Sequence, residues 1–294
     1  MTVTLMQRLG NFMQRLGNFM QRLGDFLGLR QSGNIRNKPA DAATSSTSLN
    51  PESSLLPYAV GELPPSPWLV FAPHADDETY GMGGALLLAK TQGIETHVVV
   101  LTDGALGGAA EGLVATRQAE VQHAARELGL ASLTLWNEPD RGLTVSAALI
   151  DKLSQQIAQS QPASVFFPGP LEAHPDHRLT AQLVWRALQQ MQQADEAQTQ
   201  PLPQALSYEI SNQSPINLML DTTEVIADKA RVMSCYNSQN SENNYEDLVL
   251  ALDKGRTFTM PPEVQHCEGF YRYSAAQRRQ SLETVTQELI GLYF

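Results

Sequence analysis

At 294 residues the chain can hold one large α/β domain and flanking tails, and its 42% hydrophobic and 17% charged residues are ordinary for a globular protein. A formal net charge of -11 opposes non-specific association of the protein body with DNA, RNA or anionic lipid. Cys235 and Cys267 follow no metal-ligand or redox spacing, so no disulfide framework is expected and a reducing cytoplasm is the predicted compartment.

The first thirty residues carry a tandem heptad: MQRLGNF at 6–12 and 13–19, then MQRLGDF at 20–26. At helical spacing Met6, Leu9, Met13, Leu16, Met20 and Leu23 form one stripe, widened by Phe12, Phe19 and Phe26. Arg8, Arg15 and Arg22 interrupt any continuous apolar run, which argues against a secretory signal or a membrane span. The stripe fits an amphipathic helix that docks on a membrane surface or a partner helix through residues 6–26. Gly10, Gly17 and Gly24 oppose it, at about 1 kcal/mol each relative to Ala.

Residues 31–67 are rich in Ser, Thr, Asn, Pro and Ala and hold few large apolar side chains. They cannot bury enough surface to offset their ordering entropy, so a disordered linker is expected, ending in Pro64-Pro65-Ser66-Pro67. A single folded domain is then expected over 68–294.

From Trp68 the pattern alternates. Trp68–Ala72 is an apolar run suited to a buried parallel strand. A carboxylate-rich turn follows, then a helix over about 83–91 that Gly93 ends. A strand is expected at 97–101, a glycine-rich loop at 102–112 and a helix at 114–128 closed by Gly129. Strands at 133–136 and 164–167 alternate with helices at 144–160 and 178–193. This order predicts a Rossmann-like, doubly wound, mostly parallel sheet with helices on both faces. Sites in such sheets lie beyond the carboxyl ends of the strands.

Two motifs fall at such ends. The first is Pro73-His74-Ala75-Asp76-Asp77-Glu78 and the second is Glu172-Ala173-His174-Pro175-Asp176-His177. Imidazole and carboxylate suit zinc and similar ions, and three protein ligands with an open position is the usual catalytic arrangement. A helix cap would need one acid, whereas the first turn has three. Gly81-Met82-Gly83-Gly84 has the look of a nucleotide loop, but it lies far beyond the strand and follows three acids that would repel pyrophosphate.

Together, PHADDE at 73–78 and HPDH at 174–177 resemble the PIG-L/LmbE family of metal-dependent N-acetylglucosaminyl deacetylases. Arg117, Glu120, Ala124 and Leu128-Gly129 resemble its R-x-x-E…A…LG helix, and Asp140 its acid after the third strand. Lys229-Ala230 with Ser238-Gln239, and Glu268-Gly269-Phe270, resemble its late elements; the likeness spans about 68–290. The resemblance implies that His74, Asp77 and His177 bind the metal, zinc or alternatively ferrous iron. It implies that Asp76 is the general base and His174 the acid or oxyanion stabiliser. Asp176 would orient His174 or His177, Glu78 would do likewise in the first turn, and Arg117 and Asp140 would bind sugar hydroxyls.

The reaction implied is hydrolytic deacetylation of a small-molecule amino-sugar conjugate by a metal-activated water. The alternatives are amidase action on another acyl amide such as a thiol conjugate, a sugar-binding protein without turnover, and an adaptor recruited by the heptads. Ala75 stands where the family commonly has Pro, which changes turn stiffness more than ligand chemistry, and Ala105 stands where many members place Glu, which argues against identical sugar recognition in that loop.

Overall fold

The computed structural model describes residues 59–194, 202–241 and 243–291. The heptad segment, with its expected membrane or helix partner, and the linker up to residue 58 lie outside the described residues.

The chain alternates in the expected way through its first half. The strands are β1 (Ala59–Val60), β2 (Trp68–Ala72), β3 (Thr96–Thr102), β4 (Ser132–Glu138) and β5 (Ser164–Pro168). The helices are α1 (Asp77–Thr91), α2 (Leu113–Leu128), α3 (Ala147–Ser160) and α4 (Pro175–Ala194). Beyond them come β6 (Gln204–Tyr208), β7 (Leu218–Asp221), α5 (Ile226–Met233), α6 (Asn237–Asn240), α7 (Tyr245–Gly255), β8 (Cys267–Tyr273) and α8 (Leu282–Gly291).

Among the described residues the eight strands join one sheet in the order β1-β7-β8-β6-β5-β2-β3-β4. Strand β8 runs antiparallel to both of its neighbours, and every other pairing is parallel. Successive residues of β2 feed opposite faces, because side chains alternate along a strand. Trp68, Val70 and Ala72 enter one core with residues of α1, α2, α5 and α7, while Leu69 and Phe71 enter a second with α3, α4 and α8. Helices therefore cover both faces, as the apolar runs predict.

Two expected boundaries move. The linker was expected to end at Pro67, yet Ala59–Val60 already pairs with Leu218 and Met219 of β7. Trp68 Nε1 also donates to Pro64 O at 2.9 Å and Ser164 Oγ to Pro65 O at 2.8 Å, so the proline run is held on the domain. The helix expected from residue 83 starts instead at Asp77, with the amides of Thr79 and Tyr80 donating to Asp76 O. It is kinked at Met82 (φ -147, ψ 25).

The kink accounts for the glycine cluster. A Cβ on Gly81 would stand 2.4 Å from Tyr208 Cδ2 and 2.6 Å from Glu209 O, so β6 can approach α1 only over a glycine. Past the kink, the amides of Gly84 and Ala85 are satisfied by the Glu268 carboxylate at 2.7 and 2.8 Å. Glu268 in turn shares the fully buried Lys229 ammonium with Asp253, each at 2.7 Å.

Candidate metal centre and catalytic site

The sheet places the two motifs together. From β2 the chain proceeds outward to β3 and β4, then crosses back to lay β5 on the other side of β2. The strand order thus reverses between β2 and β5, which is where an open α/β sheet leaves a crevice at its carboxyl edge. Residues 73–78 leave β2 and 169–177 leave β5 into that crevice. His74, Asp76, Asp77, His174 and His177 line one cavity there, about 570 Å³ in volume.

Asp77 is the hub of the cluster. Its Oδ2 lies 3.0 Å from His74 Nδ1 and 3.2 Å from His177 Nε2. Two ligand atoms of one tetrahedral zinc, each about 2.0–2.2 Å from the ion, stand roughly 3.3 Å apart. The donor types, and the separations of Asp77 from each ring, therefore match those of ligands that share a small divalent cation. Donor atoms of His74, His174 and His177 also lie within 4.8 Å of one another, as do those of His74, Asp140 and Asp176.

Carboxylates behind the rings set which nitrogen each histidine offers. His74 Nε2 lies 3.3 Å from Asp176 Oδ2 and 3.4 Å from Asp140 Oδ1, which favours the proton there and leaves Nδ1 toward Asp77. His177 Nδ1 faces Glu172 Oε2 at 3.4 Å, leaving Nε2 toward Asp77. Glu172 is itself fixed by the amides of Ile210 and Ser211 at 2.8 and 3.0 Å. Glu172 has no role assigned from sequence; its place ahead of two histidines is the signal that marks it. The Asp176 carboxylate lies against His74, not His174 or His177 as expected; only its backbone amide reaches His174, donating to Nδ1 at 3.2 Å.

Asp76 occupies a different position from its neighbour. Its backbone has φ 141, a conformation that side-chain-bearing residues rarely adopt and that a surrounding structure must hold in place. Glu78 Oε2 accepts its amide at 3.2 Å, and the Tyr236 hydroxyl donates to Glu78 Oε1 from behind. Arg117 Nη2 donates to Asp76 Oδ2 at 3.0 Å and to Ala75 O at 3.1 Å, while Nη1 reaches Gly104 O at 3.2 Å. Tyr236 lies 158 residues from Glu78, and nothing in its local sequence marks it for this task.

The electrostatics separate the adjacent acids. Burial pushes the Asp76 carboxyl up to about 7, against the pull of Arg117 and with the help of the Asp77 charge. Asp77 is buried too, but the His177 and His74 rings outweigh that and hold it well below the usual carboxylate range. Burial works to lower His177, yet Asp77 and Glu172 raise it to about 9. His74 is likewise raised against its burial, by Asp140, Asp176 and Asp77. His174 moves the other way, lowered by burial and by the other two rings.

The two expected sugar contacts are engaged by the protein itself. Arg117 is 4% exposed, and both terminal nitrogens of its guanidinium are engaged, by Asp76 and two carbonyls. Asp140 Oδ2 accepts the Leu106 amide at 2.9 Å while Oδ1 faces His74. Burial tends to raise Asp140, but the hydrogen bonds from His74 and Leu106 hold it at about 2. Both residues still border the cavity.

Fold and site together define an α/β protein with a histidine–carboxylate centre at the carboxyl edge of its sheet. Residues 69–188 match the PIG-L family, described as GlcNAc-PI de-N-acetylase. Over 133 residues the chain is 31% identical to a probable N-acetyl-alpha-D-glucosaminyl L-malate deacetylase 2 of Bacillus anthracis, covering 41% of this chain and 58% of that protein. The chain spans between 44% and 64% of the length of the curated relatives it matches. Among solved structures it is similar to the N,N'-diacetylchitobiose deacetylase of Pyrococcus horikoshii, at 25% identity and TM-score 0.66 over 74% of this chain and 87% of that one. A 4-carboxy-2-hydroxymuconate hydratase of Pseudomonas putida shares the fold, at 20% identity and TM-score 0.60 over 71% of this chain and 97% of that one. Among the described residues no helix is long and apolar enough to cross a membrane.

Proposed function

We propose that the chain is a metal-dependent hydrolase that removes the acetyl group from an N-acetylated amino-sugar conjugate. The observation that carries this reading is the division of labour between two adjacent acids. Asp77 stands between His74 Nδ1 and His177 Nε2, while Asp76 is gripped by Arg117 outside that set and borders the same cavity. A binding centre alone has no use for a second carboxylate held in a strained backbone. The deacetylases named among the relatives support the choice of amide, which the fold by itself does not decide, since it also serves a hydratase.

In this reading His74, Asp77 and His177 hold the ion, zinc or ferrous iron, and His174 stays free for the reaction. When bound, such an ion supplies Lewis acidity to the acyl carbonyl and to the attacking water. Asp76 takes the proton of that water on its carboxylate, a role that suits a group brought near neutrality. His174 receives the Asp176 amide on Nδ1, so the ring carries its proton on Nε2. That proton can stabilise the developing oxyanion and then pass to the leaving amine. Glu78 and Asp176 act indirectly, through the Asp76 backbone and the His74 ring.

Acetate release from N-acetylglucosamine conjugates, measured with and without a chelator, tests the reading. Activity should disappear on chelation, return with zinc or ferrous iron, and fall by orders of magnitude in Asp76→Ala. Unchanged turnover in Asp76→Ala would remove the general-base assignment, and wild-type metal content in a His74→Ala, Asp77→Ala double variant would remove the ligand assignment.

A further inference from the structure

We infer that the mouth of this cavity is a subsite for an alkyl or aryl aglycone, so that the favoured substrate is an N-acetylated amino sugar joined to an apolar group. This rests on the deacetylase reading above and adds the class of group that the sugar carries.

The cavity is divided chemically. The histidines and carboxylates of the two motifs, His74, Asp76, Asp77, His174 and His177, gather where the chain leaves β2 and β5. Helix α7 supplies Tyr245, Leu248 and Leu252 to the lining, at the three- and four-residue steps that place side chains on one helix face. Leu106, from the loop after β3, borders the same space.

These side chains are left in water to an unusual degree for their size. Leu248 is 57% exposed, Leu106 55% and Tyr245 38%. Large apolar groups gathered beside a polar centre mark a surface that another molecule covers. Their supports are built into the fold. The Leu106 amide is tied to Asp140, and the Tyr245 ring lies 6.0 Å from that of Tyr80, whose hydroxyl donates to Asn240.

Continuity with that polar centre identifies the occupant as part of the molecule being hydrolysed. An amide seated at His74, Asp77 and His177 must extend its sugar into the rest of the cavity, where Ser211, Gln239 and Asn243 offer polar contacts and the apolar side chains of α7 and Leu106 offer the remainder. A volume of about 570 Å³ is within the range that encloses drug-sized ligands. An anionic aglycone is poorly served. Of the two arginines bordering the cavity, Arg117 is committed to Asp76, which leaves Arg141 facing a site that also contains Asp76, Asp77 and Asp140.

The test is calorimetric binding of methyl, butyl and hexyl N-acetylglucosaminides to the full chain carrying Asp76→Asn, which stops turnover. Each well-buried methylene strengthens binding severalfold, so affinity should rise at least about tenfold from methyl to hexyl even with partial burial. Leu248→Asn and Leu106→Asn, both at exposed positions, should each cut that gain to about threefold or less. Affinity independent of chain length, a gain retained in both leucine variants, no binding of any member, or a gain that follows lengthening of the N-acyl group instead would each overturn the subsite. Acetate release by the unsubstituted protein is measured in parallel on the same series. The reaction and the subsite therefore fail separately.

Discussion

Arg117 and Asp76, 41 residues apart, form a buried pair in which Nη2 stands 3.0 Å from Oδ2, and the same nitrogen holds the Ala75 carbonyl. One guanidinium thus fixes both the side chain and the preceding peptide of the proposed base. It also opposes burial, which pushes that carboxyl up. In Arg117→Met the base is misplaced, and kcat should fall about 100-fold with a smaller change in KM. Activity needs ionised Asp76, so it should rise with pH through about 7 in the parent. Loss of the cation raises the pKa further, so the rising limb should move to higher pH. Profiles of kcat/KM against pH decide this, and a variant limb at the parental position would refute it.

Glu172 holds His177 from behind and is itself held by two amides of the segment after β6. Glu172→Gln should lower metal affinity about 10- to 100-fold, because the ring loses its orienting carboxylate. Chelator competition on the folded variant measures it; parental affinity would show that Glu172 only braces the loop.

Gly81 is where β6 meets the kinked helix. A methyl group there has no room against Tyr208 and the Glu209 carbonyl, and the carbonyl belongs to backbone that cannot turn aside. Gly81→Ala should therefore destabilise the protein by about 1–3 kcal/mol, where an unhindered helical glycine would gain stability from the same change. Denaturant unfolding gives the sign directly.

Lys229 has no contact with solvent and donates to two carboxylates, Asp253 and Glu268. Lys229→Met would leave both acids without their cation, at a cost of about 3–5 kcal/mol, seen as a large drop in the denaturation midpoint.

The same cluster makes stability depend on pH. Burial, with the Glu268 charge, raises Asp253 to about 7 even though Lys229 pulls it down. In the unfolded chain an aspartate titrates near 3.9. Between those values the native state holds a proton that the unfolded state has released, so stability should fall as pH climbs from about 4 to about 7. Asp253→Asn removes that contribution. Unfolding free energies at pH 5 and pH 8 should differ less in the variant than in the parent, and equal differences would contradict the assignment.

Much of the fold was legible in the chain between Trp68 and Met191. Parallel strands covered on both faces are written as unbroken apolar runs, and helices α3 and α4 carry ordinary amphipathic periodicity, whereas α1 is buried along most of its length. The two acid- and histidine-rich motifs were legible for a related reason: each clusters groups that are costly to hold together unless they share a ligand. Beyond residue 200 the signal fades. Gln204–Tyr208 and Leu218–Asp221 are short strands held by pairing, with β5 and β1 on one side and on the other with β8, which lies between them in the sheet and comes from far along the chain.

The kink at Met82 was equally hidden, since it depends on Glu268 arriving to accept the amides the helix releases. From local patterning alone one obtains the doubly wound class and the residues able to bind a metal. The partners of those residues come only from tertiary structure: Arg117 on Asp76, Glu172 on His177, Asp140 and Asp176 on His74, and Tyr236 behind Glu78. Ligand chemistry belongs to a side chain wherever it sits, whereas an ionisation state and a ring's choice of nitrogen depend on neighbours that only the folded chain brings within a few ångströms.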